Sequence, residues 1–200
     1  MKCIAPQLIR ATALLGLLAA SGAVQAHTGH GTSSLSEGLA HPLGADHLLA
    51  MLAVGLWSIS ALPAGKVWWG PATFLLALIV SAALGAAGLS VPFLEQLISL
   101  SVVLFGVMLL LTRVRVPATL GLGFVALAAF LHGLAHGAET PATGFETYAI
   151  GFLVTSAMLH LGGMAFALGI RKFLATKANW VMIGLGSLFS ASGLYLFSQI

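Results

Sequence analysis

Charge and cysteine are what this sequence has least of. Of its 200 residues, 8 are Lys or Arg and 5 are Asp or Glu, 6% in all, against roughly 25% charged in an average soluble domain. That excludes an ordinary soluble domain. The one cysteine, Cys3, leaves no pair for a disulfide. No GxxxxGK[ST] phosphate loop and no glycine-rich dinucleotide fingerprint occurs. Energy for any transport must therefore come from gradients. What the chain does have is apolar bulk, 59% hydrophobic, together with 24 glycines. Small residues of this kind let spanning helices approach closely in lipid, where no hydrophobic force drives them together.

The first 26 residues, "MKCIAPQLIRATALLGLLAASGAVQA", have a basic start, an apolar centre and small residues at Val24 and Ala26. That pattern predicts a secretory signal peptide, 1–26, cleaved after Ala26. Cys3 is lost with it, so the mature chain offers no thiolate to a metal. Removing Lys2 and Arg10 leaves six basic and five acidic residues, so the basic balance of the whole chain implies no nucleic-acid partner. A polar lead-in, 27–36, carries His27 and His30. These could chelate or be nothing but tail.

Residues 37–200 predict an all-α membrane domain of six transmembrane helices, since about 20 apolar residues cross a bilayer core. The runs fall at 38–62, 71–90, 93–112, 117–138, 145–170 and 179–198. Prolines 63, 71, 92, 117 and 141 punctuate them, where a missing backbone donor does least harm. Basic residues near helix ends favour the cytoplasmic side. With both mature termini periplasmic, Lys66, Arg113, Arg115, Arg171, Lys172 and Lys177 all face inward. Glu37, Glu95, Glu139 and Glu146 then face outward. Trp57, Trp68, Trp69 and Trp180 are expected as a belt at the inner interface. The two halves would be oppositely oriented, as in inverted-repeat transporters, although their sequences are too dissimilar to assert a repeat.

Polar residues inside this frame need a reason. Asp46 is the one acidic residue well inside an apolar run, where a carboxylate costs about 2.5–3.5 kcal/mol on insertion scales. His41 and His47 flank it in "HPLGADHLLAM", residues 41–51. On one straight helix these histidines would sit about 120° apart. Pro42 in a first helical turn would leave His41 at the cap, free to fold back. Met51 shares a face with His47. In "LHGLAHGAE", residues 131–139, His132, His136 and Glu139 fall within about 60° of one face. Gly133 and Gly137 lie beside them as a GxxxG pair that admits a close neighbour. Topology puts both motifs in the outer half of the membrane, where they can face each other. His160 lies roughly 20 Å below the outer end of the fifth helix. Alone, it fits a helix-to-helix hydrogen bond as well as ligation.

Imidazole with carboxylate and no thiolate suits borderline divalent ions such as nickel, cobalt or zinc. The candidate metal ligands are His41, Asp46, His47, His132, His136 and Glu139, then His160, with Met51 as a thioether. No catalytic residue and no bound cofactor is expected. Two other classes fit the ligand types. One is an intramembrane zinc hydrolase using Glu139 to activate water; the other is a bis-histidine haem protein.

The segment "HPLGADHLLAMLAVG", residues 41–55, resembles the first-helix signature of the HupE/UreJ family of nickel and cobalt permeases. "HGLAHGAE", residues 132–139, is similar to that family's second motif. Leu131 stands where the family has an aromatic, with Phe130 one place earlier. The resemblance implies secondary uptake of Ni2+ or Co2+ across the bacterial inner membrane. The ion would supply hydrogenase, urease or cobalamin synthesis.

Overall fold

A computed structural model describes residues 35–114, 116–139 and 145–200. The expected signal peptide, nearly all of the lead-in with His27 and His30, Arg115 and Pro141 lie outside the described residues. Every regular element within them is helical: α1 Leu35–Ala40, α2 Ala45–Ala61, α3 Trp69–Ala86, α4 Leu94–Leu110, α5 Ala118–Ala138, α6 Phe145–Phe173 and α7 Ala178–Phe197. Short 3-10 turns at His41–Leu43, Ala64–Lys66, Leu111–Arg113 and Ala175–Lys177 join or extend them. Five helical segments are long and apolar enough to cross a membrane, and α1 with α2 makes a bent sixth. The chain is thus a multi-pass membrane protein. Leu76, Val80, Leu127, Ile150, Met158 and Leu168 turn outward, and lipid is the solvent that tolerates such an apolar surface.

Local chemistry sets the boundaries. Pro71 sits in the first turn of α3, where no intrahelical bond is lost. Pro117 is the N-cap residue of α5. Helix α3 stops at Ala86 rather than at residue 90 because Gly88 is left-handed, with φ 93°. The Gly88 N–H then donates to Gly85 and the Leu89 N–H to Leu84, the paired bonds of a Schellman ending.

The first segment departs from the expected continuous helix over 38–62. Its two parts are bent by 73°. Pro42 does not occupy the first turn of α2; it lies in the separate 3-10 turn, closed by Gly44 N–H to the His41 carbonyl at 3.1 Å. Gly44, with extended backbone (φ −54°, ψ 145°), is the N-cap residue. Ala40 keeps right-handed helical angles (φ −81°, ψ −33°), so the break falls after it, where Pro42 lacks an N–H and Gly44 turns extended.

Three helix pairings build the bundle: the first segment on α6, α3 on α5, and α4 on α7. Each is closed by glycine. A Cβ on Gly55 would strike the His160 carbonyl oxygen, one on Gly133 the Leu78 carbonyl and Ser81 Oγ, and one on Gly106 the Ser190 backbone. Helix α3 is therefore the close neighbour that the GxxxG pair admits. Numbering the segments one to six, the pairs are one with five, two with four and three with six. Exchanging the two halves maps this set onto itself. The symmetry is confined to these three main pairings, since segment one also packs on segments two and three without a matching set in the second half.

A cavity of about 240 Å³ at one end is lined by Trp57, Ser60, Arg113 and Gly121, among others. Lys66, near the same end, lies over the Trp69 ring at 4.7 Å. Trp68, Trp69 and Trp180 are exposed, as an interfacial belt requires, but Trp57 is not part of it. Trp57 is 6% exposed, and its ring fills the space that a side chain on Gly121 would take.

Candidate metal centre

The opposite end of the bundle gathers the histidines. The bend at Gly44 swings His41 off the axis of α2, so that it meets His47 from the side. Helix α5 delivers His136 in its last turn, and α6 supplies aromatic walls. The ring centroids of His41 and His136 are 4.7 Å apart, those of His47 and His136 4.5 Å, and those of His41 and His47 5.6 Å. One ligand-capable nitrogen from each of the three lies within 4.8 Å of the others. Phe152 packs on His136 at 4.5 Å, and Phe152 and Tyr148 each lie 5.8 Å from His41. His47 and His136 are buried, while His41 is partly exposed.

Asp46 lies in the first turn of α2, where the helix dipole favours a negative charge. Its carboxylate accepts two bonds from the next residue, from the His47 backbone N–H at 2.9 Å and from Nδ1–H at 2.8 Å. Holding the proton on Nδ1 leaves His47 Nε2 bare, as in carboxylate–histidine–metal arrangements. That nitrogen meets His136 Nε2 at 2.5 Å. Without an ion, a proton on His136 Nε2 satisfies both atoms. Moving it to the other ring nitrogen leaves both Nε2 lone pairs unshared, available to a cation once the two rings part.

His132 is fully buried and stacks edge-on against His47 at 4.8 Å. Its Nε2 lies 2.9 Å from Ser101 Oγ, whose own hydroxyl donates to the Ile98 carbonyl at 2.6 Å. The serine proton is thus committed, so His132 Nε2–H is the donor. Nδ1 carries the lone pair, and it has no hydrogen-bond partner among the described residues. Glu139 is the C-cap residue of α5 and is exposed, outside the histidine cluster. Met51 is fully buried in the core one turn after His47.

His160 stands apart. Its Nδ1–H donates to the Ser156 carbonyl of its own helix at 2.7 Å, and its Nε2 has no hydrogen-bond partner among the described residues, so no bond to another of the described helices is made. Measured against the ring-bearing level of Phe152 on the same helix, it lies about 12 Å below the cluster. The outer cluster itself sits within the bundle rather than at the tip of α6. One ring bridges the interval: Phe74 lies 6.0 Å from His132 and 4.9 Å from His160.

Sequence reasoning missed Ser101, Phe74, Tyr148 and Phe152. Ser101 carried a usable signal as a hydroxyl amid an apolar run; the three rings carried none, being ordinary core residues by type. The contact of His47 with His136 leaves no slot for a porphyrin plane between them, which argues against haem.

Residues 15–196 match the family described as "HupE / UreJ protein". The chain is 35% identical over 158 residues to "Protein HupE" of Rhizobium leguminosarum bv. viciae, covering 78% of this chain and 82% of that protein. No solved structure matches.

Proposed function

Since the chain belongs to the HupE/UreJ family, we propose that it is a secondary transporter importing a divalent transition-metal ion across the bacterial inner membrane, nickel foremost and cobalt next. The carrying observation is the convergence of His41, His47 and His136, from the two arms of the bent first segment and from α5, inside the bundle. His41, His47 and His136 replace part of the hydration shell, and His132 offers Nδ1 beside them. Asp46 holds the His47 tautomer and supplies compensating negative charge. Glu139, with Glu37 near the same end, attracts the ion on approach.

Imidazole donors suit nickel, cobalt and zinc alike, and Cu2+ would bind most tightly of the series. Selection among them rests on the spacing of the rings. No nucleotide is needed: a divalent ion gains about 4.6 kcal/mol per 100 mV of inside-negative potential, roughly a thousandfold accumulation at about 1.4 kcal/mol per decade. The excess of basic residues at the cavity end supports an orientation with that end cytoplasmic and both mature termini periplasmic. The imported ion would serve hydrogenase, urease or cobalamin synthesis.

Uptake of radioactive nickel and cobalt into cells lacking their own importers tests this. Wild type should accumulate one or both, while His47→Ala and His136→Ala, inserted at normal levels, should not. Wild type that moves neither ion defeats the transport reading. If it instead retains zinc through dialysis and turns over a lipid amide, the hydrolase stands in its place.

A further inference from the structure

His160 has the marks of a ligand in waiting. It is 0% exposed, and the bond from Nδ1–H to the Ser156 carbonyl fixes the lone pair on Nε2. That atom has no hydrogen-bond partner among the described residues. Leaving such an acceptor unsatisfied costs the desolvation of the group, and native cores rarely bear that without an ion, a water or a chemical role to explain it.

The surroundings are specific. Met164 is one turn on along the same face of α6 and is buried. Gly55 of α2 lies against the His160 backbone carbonyl, so α2 and α6 are in closest approach at this level. Met51, one turn before Gly55 and fully buried, is on the α2 face that meets α6. A helical side chain leans toward the N-terminus of its helix, which tilts Met164 back toward His160. By helical spacing, the two thioethers and the bare imidazole nitrogen fall on one stretch of the α2–α6 seam. The Phe74 ring separates this place from His132, and the cavity beside Trp57 and Ser60 begins below it.

We propose that His160 Nε2, with the thioethers of Met51 and Met164, forms a second and weaker station for the same divalent ion, on the inner side of Phe74. The inference rests on the transport reading of the outer cluster. Its donor set has one imidazole and no carboxylate, so it holds a borderline dication less firmly than the outer histidines do. Conduction asks for that gradation, because an ion must be bound well enough to enter and loosely enough to leave.

The test is titration of the purified full chain with Ni2+ or Co2+, following heat and metal-edge X-ray absorption. Wild type should take up two ions per chain, the weaker with sulfur scattering. His160→Gln should lose the weaker event and keep the tighter one; Met164→Leu should weaken that event by at least about tenfold and reduce its sulfur signal. His47→Ala should lose the tighter event alone. One ion per wild-type chain, or an unchanged second event in His160→Gln, overturns the proposal, and the vacant Nε2 then belongs to a water. If His160→Gln fails to fold, Met164→Leu decides: a second event with no sulfur signal in wild type, unaltered in this variant, also overturns it. Proteoliposome flux separates the two readings. Two ions bound without flux removes the transporter and keeps the station, whereas flux with one bound ion does the reverse.

Discussion

The outer cluster and His160 bury the same side chain in two different ways. In the cluster, imidazole nitrogens face one another, and side chains set their tautomers: Asp46, the preceding residue of α2, for His47 and Ser101 of α4 for His132. At His160 the tautomer is set by a backbone carbonyl of its own helix, and the remaining nitrogen has no hydrogen-bond partner among the described residues. The difference teaches that one end of the bundle assembles a polyhistidine centre which depends on several helices staying in register. The deeper position keeps a single donor oriented whatever its neighbours do.

Substitutions can break that comparison, and the largest effect is expected where ligands converge. His136→Ala should lower metal uptake by more than about a hundredfold, measured as initial rate in cells at matched expression. Asp46→Asn comes next. The amide preserves the shape but can present its N–H toward His47 Nδ1, releasing the tautomer, and should cost about 10–100-fold in affinity of the tighter event. An unchanged affinity would mean that the carboxylate contributes nothing beyond local structure. Ser101→Ala strands the His132 Nε2–H in the core, a loss of about 1–3 kcal/mol to be read as a lower Tm in detergent, with the tighter event weakened less than by Asp46→Asn. The smallest effect belongs to Met51→Leu, a volume-conserving exchange that should cost less than about 1.5 kcal/mol of stability. It should leave the outer event untouched and alter the inner one alone.

Much of the architecture was legible because lipid imposes a simple rule. Apolar runs of sufficient length become helices, and the observed ends lie within a few residues of those read from 93–112, 117–138 and 145–170. The bend at Gly44 was not legible as such, because both of its arms are apolar and a proline near a helix start is compatible with an unbroken helix. Trp57 misled for a similar reason. An interfacial tryptophan and a core tryptophan near a helix end look alike until Gly121 is seen to make room for the ring. The meeting of the two histidine motifs followed from topology alone. The roles of Ser101 and Phe74 depend on how α3 and α4 rotate about their axes, and sequence periodicity in uniformly apolar helices sets that weakly.

The bend has a further consequence for how the chain holds its cargo. His41 and His47 belong to the first half of the chain and His136 to the second, 89 positions beyond His47. An ion coordinated by all three is a reversible crosslink between the two halves of the chain. Anything that binds the folded form in this way raises its stability with concentration. On the transport reading, the same crosslink must be broken for the ion to leave inward, so the tightness of the outer centre sets a lower limit on the work of releasing it.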